Sequence, residues 1–462
     1  MSHLLISAAH KSSGKTTITI GLCAALAARD FVVQPFKKGP DYIDPLWLGK
    51  AANRPCCNLD FYTMNPAEIK NSVMQYSQGA DINIIEGNKG LYDGMDLEGS
   101  NSNAALAQLL DIPVVLVLDT KGMTRGIAPL ILGYQDFDKK IYIAGVILNK
   151  VGGERHENKL RAAIEYYTDI PIIGAVRRDA RLAIEERHLG LIPSNEDHHA
   201  QTKINTIAEI ITAQVELEQL LEIAAEAKHS LFFDQAKPIH KLQKEKNVKI
   251  GIIRDAAFGF YYHSDLEALE IAGAELIFID ALHDSCLPAV DALFIGGGFP
   301  EVKMDILSHN NSLKKDICGA IERDMPVYAE CGGLIYLSRQ LTWHGKTCKM
   351  VGALPFDTVI EARPQGRGYV IIQETGHGLW PLLNSKGQIT EFYAHEFHYS
   401  KAINLPAKLT YAYKVLRGQG LDGQYDGIVY KNTLASYVHL HDVENNRWTQ
   451  RFIEFIRQKK GS

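Results

Sequence analysis

The chain opens on an apolar run, Leu4-Leu5-Ile6-Ser7-Ala8-Ala9, too short for a helix and long enough for a buried strand. An alanine-rich helical pattern follows over residues 15–28. Short apolar runs recur at 31–35, 82–85, 113–118 and 142–148, with helical patterns at 104–110 and 155–167 among them. Runs that are apolar throughout, rather than alternating, belong to strands covered on both faces. The spacing therefore predicts a mostly parallel, doubly wound sheet. Residues 201–227 read as helical without strands, and 237–247 as a polar, lysine-rich linker. The alternation resumes with strands at 248–253, 292–295 and 327–329 and a helix near 265–271, and 354–438 is richer in strand pattern. The expected fold class is α/β, in two domains, 1–240 and 247–450.

Composition narrows the function classes. A length of 462 residues suits two or three domains at ~150 residues each. A net charge of -5 gives no electrostatic basis for binding nucleic acid or an anionic membrane, and the basic end at 457–460 reads as a solvated helix end. No run approaches the ~20 apolar residues of a membrane span. The first residues carry no basic leader or cleavage site, and the seven cysteines are odd in number and scattered. Both features point to the reducing cytoplasm.

Candidate chemistry sits at the strand ends. Ser12-Ser13-Gly14-Lys15-Thr16-Thr17 follows the first run and opens the first helix, where a phosphate-binding loop belongs. Its amides, with Ser13, Gly14, Lys15, Thr16 and Thr17, would cradle ATP; Lys15 would reach the terminal phosphates and Thr16 would ligate Mg²⁺. Ala9 stands where the first glycine of the usual pattern falls, so the loop is a variant. Lys37-Lys38-Gly39-Pro40-Asp41-Tyr42-Ile43-Asp44-Pro45 brings acids and bases together just after a strand, which suits a ligand crevice. In Ile84-Ile85-Glu86-Gly87-Asn88-Lys89-Gly90-Leu91-Tyr92-Asp93, Glu86 is placed to hold Mg²⁺ or its water and Asp93 to face substrate. The plainer reading is a polar loop with a capping aspartate. Asp119 and Asn149 end two more strands, and Asn149 would either read adenine or cap a turn.

The sharpest motif is Val327-Tyr328-Ala329-Glu330-Cys331-Gly332-Gly333-Leu334, a buried strand running through a cysteine into a helix. A thiol at a helix N-terminus is expected to have a lowered pKa, and the glycines permit a sharp turn. Gly297 and Gly298, in Gly296-Gly297-Gly298-Phe299-Pro300-Glu301, and Gly332 offer amides for an oxyanion hole. The thiol needs a base. Ser436-Tyr437-Val438-His439-Leu440-His441 supplies His439, but His439 and His441 share a face and the sequence does not separate them. His395-Glu396-Phe397-His398 lacks the spacing of a zinc helix and reads as a loop lining a substrate pocket.

Together these motifs resemble the cobyrinate a,c-diamide synthase family of cobalamin biosynthesis. The carriers are Gly14-Lys15-Thr16-Thr17, Lys38-Gly39-Pro40-Asp41-Tyr42-Ile43-Asp44-Pro45, Glu86-Gly87 with Gly90-Leu91-Tyr92-Asp93-Gly94, Gly296-Gly297-Gly298-Phe299-Pro300-Glu301, Glu330-Cys331-Gly332-Gly333, Arg367-Gly368-Tyr369, His395-Glu396-Phe397-His398 and Ser436-Tyr437-Val438-His439. The resemblance covers essentially the whole chain. It implies a P-loop synthetase domain similar to dethiobiotin synthetase, joined to a triad-type class I glutamine amidotransferase domain. It also implies Cys331 as nucleophile, His439 as base, and Asp41, Tyr42, Glu86 and Asp93 in the synthetase site. The implied substrates are ATP, L-glutamine and a corrinoid-type macrocycle, amidated on its c and then its a carboxylate. Relatives that amidate hydrogenobyrinate or nickel-sirohydrochlorin are not separated by composition, and a homodimer is left open. Arg363, Arg367 and Tyr369 could meet the macrocycle's acidic groups or make surface ion pairs. Triad glutaminases carry a glutamate two positions after the histidine; His441 stands there, so the third triad member is open. Two rivals explain less. A ParA/MinD-type switch ATPase leaves Cys331 without a role and needs a lysine where His10 stands, and a simple thiol hydrolase ignores the N-terminal half.

Overall fold

A computed structural model describes residues 2–187, 190–226, 246–382, 387 and 389–461. The chain divides into two compact units, Met1–Ile239 and His240–Ser462. Most of the linker expected at 237–247 lies outside the described residues.

The first unit holds seven parallel strands: β1 (Ser2–Ala8), β2 (Val33–Lys38), β3 (Cys57–Leu59), β4 (Ile82–Glu86), β5 (Val114–Asp119), β6 (Ile143–Val151) and β7 (Ile172–Arg177). Their order is β3-β2-β4-β1-β5-β6-β7. β1 and β4 are buried at every position, as strands with helices on both faces must be. Helix α1 (Lys15–Ala27) leaves the end of β1 at the centre of the sheet, and α2 (Ile43–Ala52) follows β2. The switch of direction beside β1 is where open α/β sheets bind ligands. A helix over Ala200–Gln214 packs on α1 at Gly21, where a Cβ would come within 2.3 Å of Ile211. The helical stretch expected at 201–227 is two helices: the chain breaks at Val215, which bridges to Gly174, before Leu217–Glu226.

The second unit is built on a mixed sheet of nine strands: β8 (Val248–Ile253), β9 (Ala274–Ile279), β10 (Ala292–Ile295), β11 (Val327–Glu330), β12 (Gly366–Glu374), β13 (Glu391–His398), β14 (Thr410–Arg417), β15 (Tyr425–Tyr430) and β16 (Thr433–Ser436). The order is β9-β8-β10-β11-β16-β15-β14-β12-β13, parallel from β9 to β16 and antiparallel beyond. A helix over Trp448–Lys460 closes one face. Trp448, Phe452 and Ile456 sink into the core, and the Trp448 indole donates to Asp265 at 2.9 Å. The stretch containing His395 and His398 is the edge strand β13, not the loop expected from sequence. Both histidines are buried.

Candidate active site

In the first unit, residues 9–14 turn from β1 into α1. Gly14 is left-handed (φ 89°) at the helix start, and a Cβ there would lie 2.2 Å from the Asn149 amide nitrogen. Glycine is therefore required by both conformation and space. Asn149 donates to the Ser13 carbonyl at 2.8 Å and accepts from the Lys150 amide at 2.9 Å. Its amide thus braces the phosphate loop, closer to the capping reading than to adenine recognition. Lys150 donates to the Ser12 carbonyl and to Asp119, each at 2.8 Å, so the ends of β5 and β6 hold the loop from the other side.

Four side chains converge behind the loop. The Thr16 hydroxyl donates to Glu86 at 2.6 Å and lies 3.2 Å from Asp44. The Lys37 ammonium contacts Asp44 at 2.5 Å and Glu86 at 3.1 Å. Burial would lower Lys37, but Asp44 and Glu86 outweigh it and hold the ammonium charged. Lys15 is buried nearby and pushed below its ordinary value, first by burial, with Glu86 pulling the other way and Lys37 adding to the drop. Thr17 follows on the same turn, half-buried. Hydroxyl and carboxylate oxygens are the hard donors that Mg²⁺ takes, and Mg²⁺ bound to phosphates needs only one or two carboxylates. The group therefore fits that ion, although no cluster of three His, Cys, Asp or Glu side chains forms a closed metal site among the described residues.

Asp41 and Asp93 occupy turn positions. Asp41 accepts from the amides of Ile43 at 2.9 Å and Asp44 at 3.0 Å, opening α2, and is raised to about 7 by burial and then by the Asp44 charge. Tyr42 is buried beside it. Asp93 accepts from the Gly90 amide at 2.8 Å, the capping contact, while its charge also reaches Lys15. Asn103 fastens this loop, accepting from the Asn88 amide at 3.1 Å and donating to the Gly90 carbonyl at 2.9 Å. Asp44, Lys37 and Asn103 were not singled out by sequence. Asp44 lies within the quoted 37–45 run, but only the β2-β4-β1 order brings it to Thr16.

In the second unit, β11 pairs in parallel with β16, Glu330 opposite Ser436. Both strands therefore end at the same level, and Cys331 and His439 follow a few residues on. Cys331 is the turn residue before the helix Gly332–Leu337, at φ 45° and ψ −96°. Such a conformation in a non-glycine residue costs of order 1–3 kcal/mol and is held by its surroundings. Here the Cys331 amide donates to Ser436 at 2.7 Å. A Cβ on Gly332 would lie 2.9 Å from the Gly298 nitrogen, and one on Gly297 would lie 2.7 Å from His439 Cε1. The glycine run, the elbow and His439 are thus packed together. Gly297–Gly298 forms a short strand against Phe258–Phe260 rather than an open loop.

The thiol does not follow the expected shift. Burial, then Glu301 and Glu330, push the Cys331 thiol up, and the Gly332 amide only partly opposes them. The following helix has six residues, so its dipole is small. The Sγ faces the Phe397 carbonyl at 3.9 Å, which puts β13 beside the thiol.

The structure separates the two histidines. His439 Nδ1 lies 3.2 Å from Glu330, and its ring stacks on His395 with centroids 5.0 Å apart. His441 stacks on Tyr262 at 4.2 Å, 3.9 Å from Asp265, and burial lowers it to about 3. Asp426 accepts from the amides of Tyr437 and Val438, fixing the segment that presents His439. His398 stacks on Tyr437 at 3.9 Å. The Arg367 guanidinium lies over the Phe397 ring, and Arg363 is exposed.

A P-loop nucleotide-binding unit followed by a cysteine-elbow glutamine amidotransferase unit is the class this chain falls in. Residues 5–192 match the CobQ/CobB/MinD/ParA nucleotide binding domain, and residues 249–447 match the CobB/CobQ-like glutamine amidotransferase domain. The chain is 46% identical over 459 residues to the cobyrinate a,c-diamide synthase of Magnetococcus marinus, covering 99% of this chain and 97% of that protein. It is 39% identical over 488 residues to that of Methanosarcina barkeri (99% and 97%) and 37% identical over 450 residues to that of Listeria innocua (96% and 97%). The chain belongs to the cobyrinate a,c-diamide synthase family. The switch-ATPase and simple-hydrolase readings each account for only one of its two units.

Proposed function

We propose that the chain amidates the c and then the a carboxylate of cobyrinate, using ATP and the amide nitrogen of glutamine. The observation that carries this reading is the packing of the Cys331-Gly332 elbow on Gly298, and of Gly297 on His439, at one end of the second sheet. In the same chain, Thr16, Asp44 and Glu86 gather at the end of β1, with Lys15 within reach of both acids' charge. Residues 1–240 would form the synthetase domain and 247–450 the amidotransferase domain.

In the second domain His439 takes the thiol proton as Cys331 attacks the glutamine amide carbon. The amides of Gly297, Gly298 and Gly332 are the candidates to hold the oxyanion. His439 returns the proton to the leaving ammonia, then removes one from water as the thioester is hydrolysed to glutamate. Burial raises the thiol, so the step needs a base to take its proton.

In the first domain the loop amides and Lys15 hold the ATP phosphates. Thr16 and Glu86, with Asp44 beside them, would hold Mg²⁺, which when bound offsets phosphate charge. A substrate carboxylate oxygen attacks the γ-phosphorus and ADP leaves. Ammonia then attacks the acyl phosphate, releasing phosphate and leaving the amide. Asp41, Tyr42 and Asp93 are assigned to orient the substrate and loops.

The test is one assay with ATP, Mg²⁺ and glutamine on cobyrinate, hydrogenobyrinate and nickel-sirohydrochlorin in parallel. Diamide formation with the highest kcat/KM on cobyrinate is expected. Preference for either other macrocycle, or no amidation of any of them, would overturn the substrate assignment.

A further inference from the structure

Sequence leaves the glutaminase without the acid that normally orients the histidine: His441 stands two positions after His439, with Asp442 next. In the structure neither serves that purpose. His441 is turned toward Tyr262, Ser264 and Asp265. The Asp442 carboxylate accepts from the Thr449 amide at 3.1 Å and hydroxyl at 2.9 Å, capping the last helix.

We propose that Glu330, the residue before the nucleophile, is the positioning acid of the site, holding the His439 Nδ1–H so that the lone pair on Nε2 serves the Cys331 thiol. This rests on the assignment of Cys331 and His439 above. The Glu330 Oε2 lies 3.2 Å from His439 Nδ1, and both side chains are buried, 3% exposed. A carboxylate only accepts, so a neutral imidazole making this hydrogen bond carries its proton on Nδ1 and its lone pair on Nε2. The other oxygen of Glu330 accepts from the Tyr328 hydroxyl at 2.6 Å and from the Leu440 amide at 2.9 Å. One acid is therefore clamped both to its own strand and to the residue after the histidine. One face of the imidazole packs on His395, itself kept neutral by burial and then by His439 and His441. Glu330, in direct contact with the ring, is the carboxylate placed to stabilise the imidazolium formed when the thiol gives up its proton. The usual geometry is thus rebuilt from the other side of the elbow, with the acid on the nucleophile's strand.

The decisive variant is Glu330→Gln. Its amide oxygen can still accept from Tyr328 and Leu440, so the clamp and the volume are kept. Its NH₂ would face Nδ1 and select the wrong tautomer, a change that lowers kcat by about 10⁴-fold in the Ser-His-Asp triad. The expected result, with an unfolding midpoint close to wild type, is that loss in glutamine hydrolysis at little-changed KM, together with slower iodoacetamide alkylation of Cys331. Wild-type kcat would overturn the proposal. So would a loss confined to KM with alkylation at the wild-type rate, since that marks a merely structural or substrate-binding role. Should the variant not fold, ¹⁵N spectra of the wild-type imidazoles decide, with His439 assigned by a His439→Asn difference: an Nδ1–H tautomer is expected, and Nε2–H would overturn it. Failure of the underlying reading looks different, because Cys331→Ser would then still hydrolyse glutamine.

Discussion

Gly297→Ala probes the contact that places the base. Gly297 is not among the positive-φ residues, so alanine fits its backbone and only space is tested. Its Cβ would lie 2.7 Å from His439 Cε1 and 3.2 Å from the Phe260 Cβ. Carbon atoms rest at about 3.5 Å or more, so the imidazole must retreat by roughly 0.8 Å. It cannot do so freely: Nδ1 is held by Glu330, and the His439 backbone is bridged to His395. A displacement of about 1 Å in a catalytic group costs about 10²-fold in rate, equivalent to ~2.7 kcal/mol at 1.36 kcal/mol per tenfold. The overpacking should also take about 1–3 kcal/mol from stability. The assay is glutamate release at saturating glutamine, beside ammonia-driven amidation by the same preparation. Glutamine-driven kcat should fall by that factor and ammonia-driven kcat should not follow it. A variant that hydrolyses glutamine at the wild-type rate would refute the placement of His439 against Gly297.

Lys15→Ala should abolish amidation with either nitrogen source, and amidation that persists would sink the phosphate-loop assignment. Glu86→Gln should raise the Mg²⁺ concentration needed for half-maximal amidation while glutamine hydrolysis by the folded variant continues; an unchanged Mg²⁺ titration would remove Glu86 from the ion's site. Asp426 gives a pH signature. Burial, outweighing the Tyr437 and Val438 amides, raises it from 3.8 to about 6. Its folded pKa lies above the unfolded one, so its contribution is fully present below the unfolded value and is lost as pH rises through about 6. Raising the carboxyl from 3.8 to about 6 is worth roughly 3 kcal/mol at most. Chemical denaturation of wild type and Asp426→Asn should therefore give a stability difference that moves toward the variant between acidic and neutral pH; a difference independent of pH would contradict this.

What was legible in the sequence was local. The apolar runs marked β1, β4 and β5, the Gly14-Lys15-Thr16 turn declared itself by its flanks, and Cys331 stood out between a buried strand and two glycines. Helix α2 was missed because Ile43-Asp44-Pro45-Leu46-Trp47-Leu48 has little polar face and carries a proline, which a first helical turn tolerates. The helix over Pro66–Tyr76 was missed although Asn65 and Glu68 form a capping box that sequence could have flagged. The gathering of Thr16, Lys37, Asp44 and Glu86 depends on β4 lying between β1 and β2, an order that periodicity does not encode. Glu330 was visible as an acid at the end of a buried strand, but its partner lies 109 positions away and is reached only through the β11–β16 register. The lowered thiol pKa expected at Cys331 was overruled by burial, which a motif cannot report.

The most direct test of the central claim, that Cys331 supplies ammonia to an ATP-dependent amidation in the other unit, is Cys331→Ser assayed with ATP, Mg²⁺ and cobyrinate. Glutamine and ammonium would be supplied in separate reactions. Diamide should form from ammonia at close to the wild-type rate and not from glutamine. Diamide formed from glutamine, or loss of both activities in a folded variant, would contradict the division of labour between the two units.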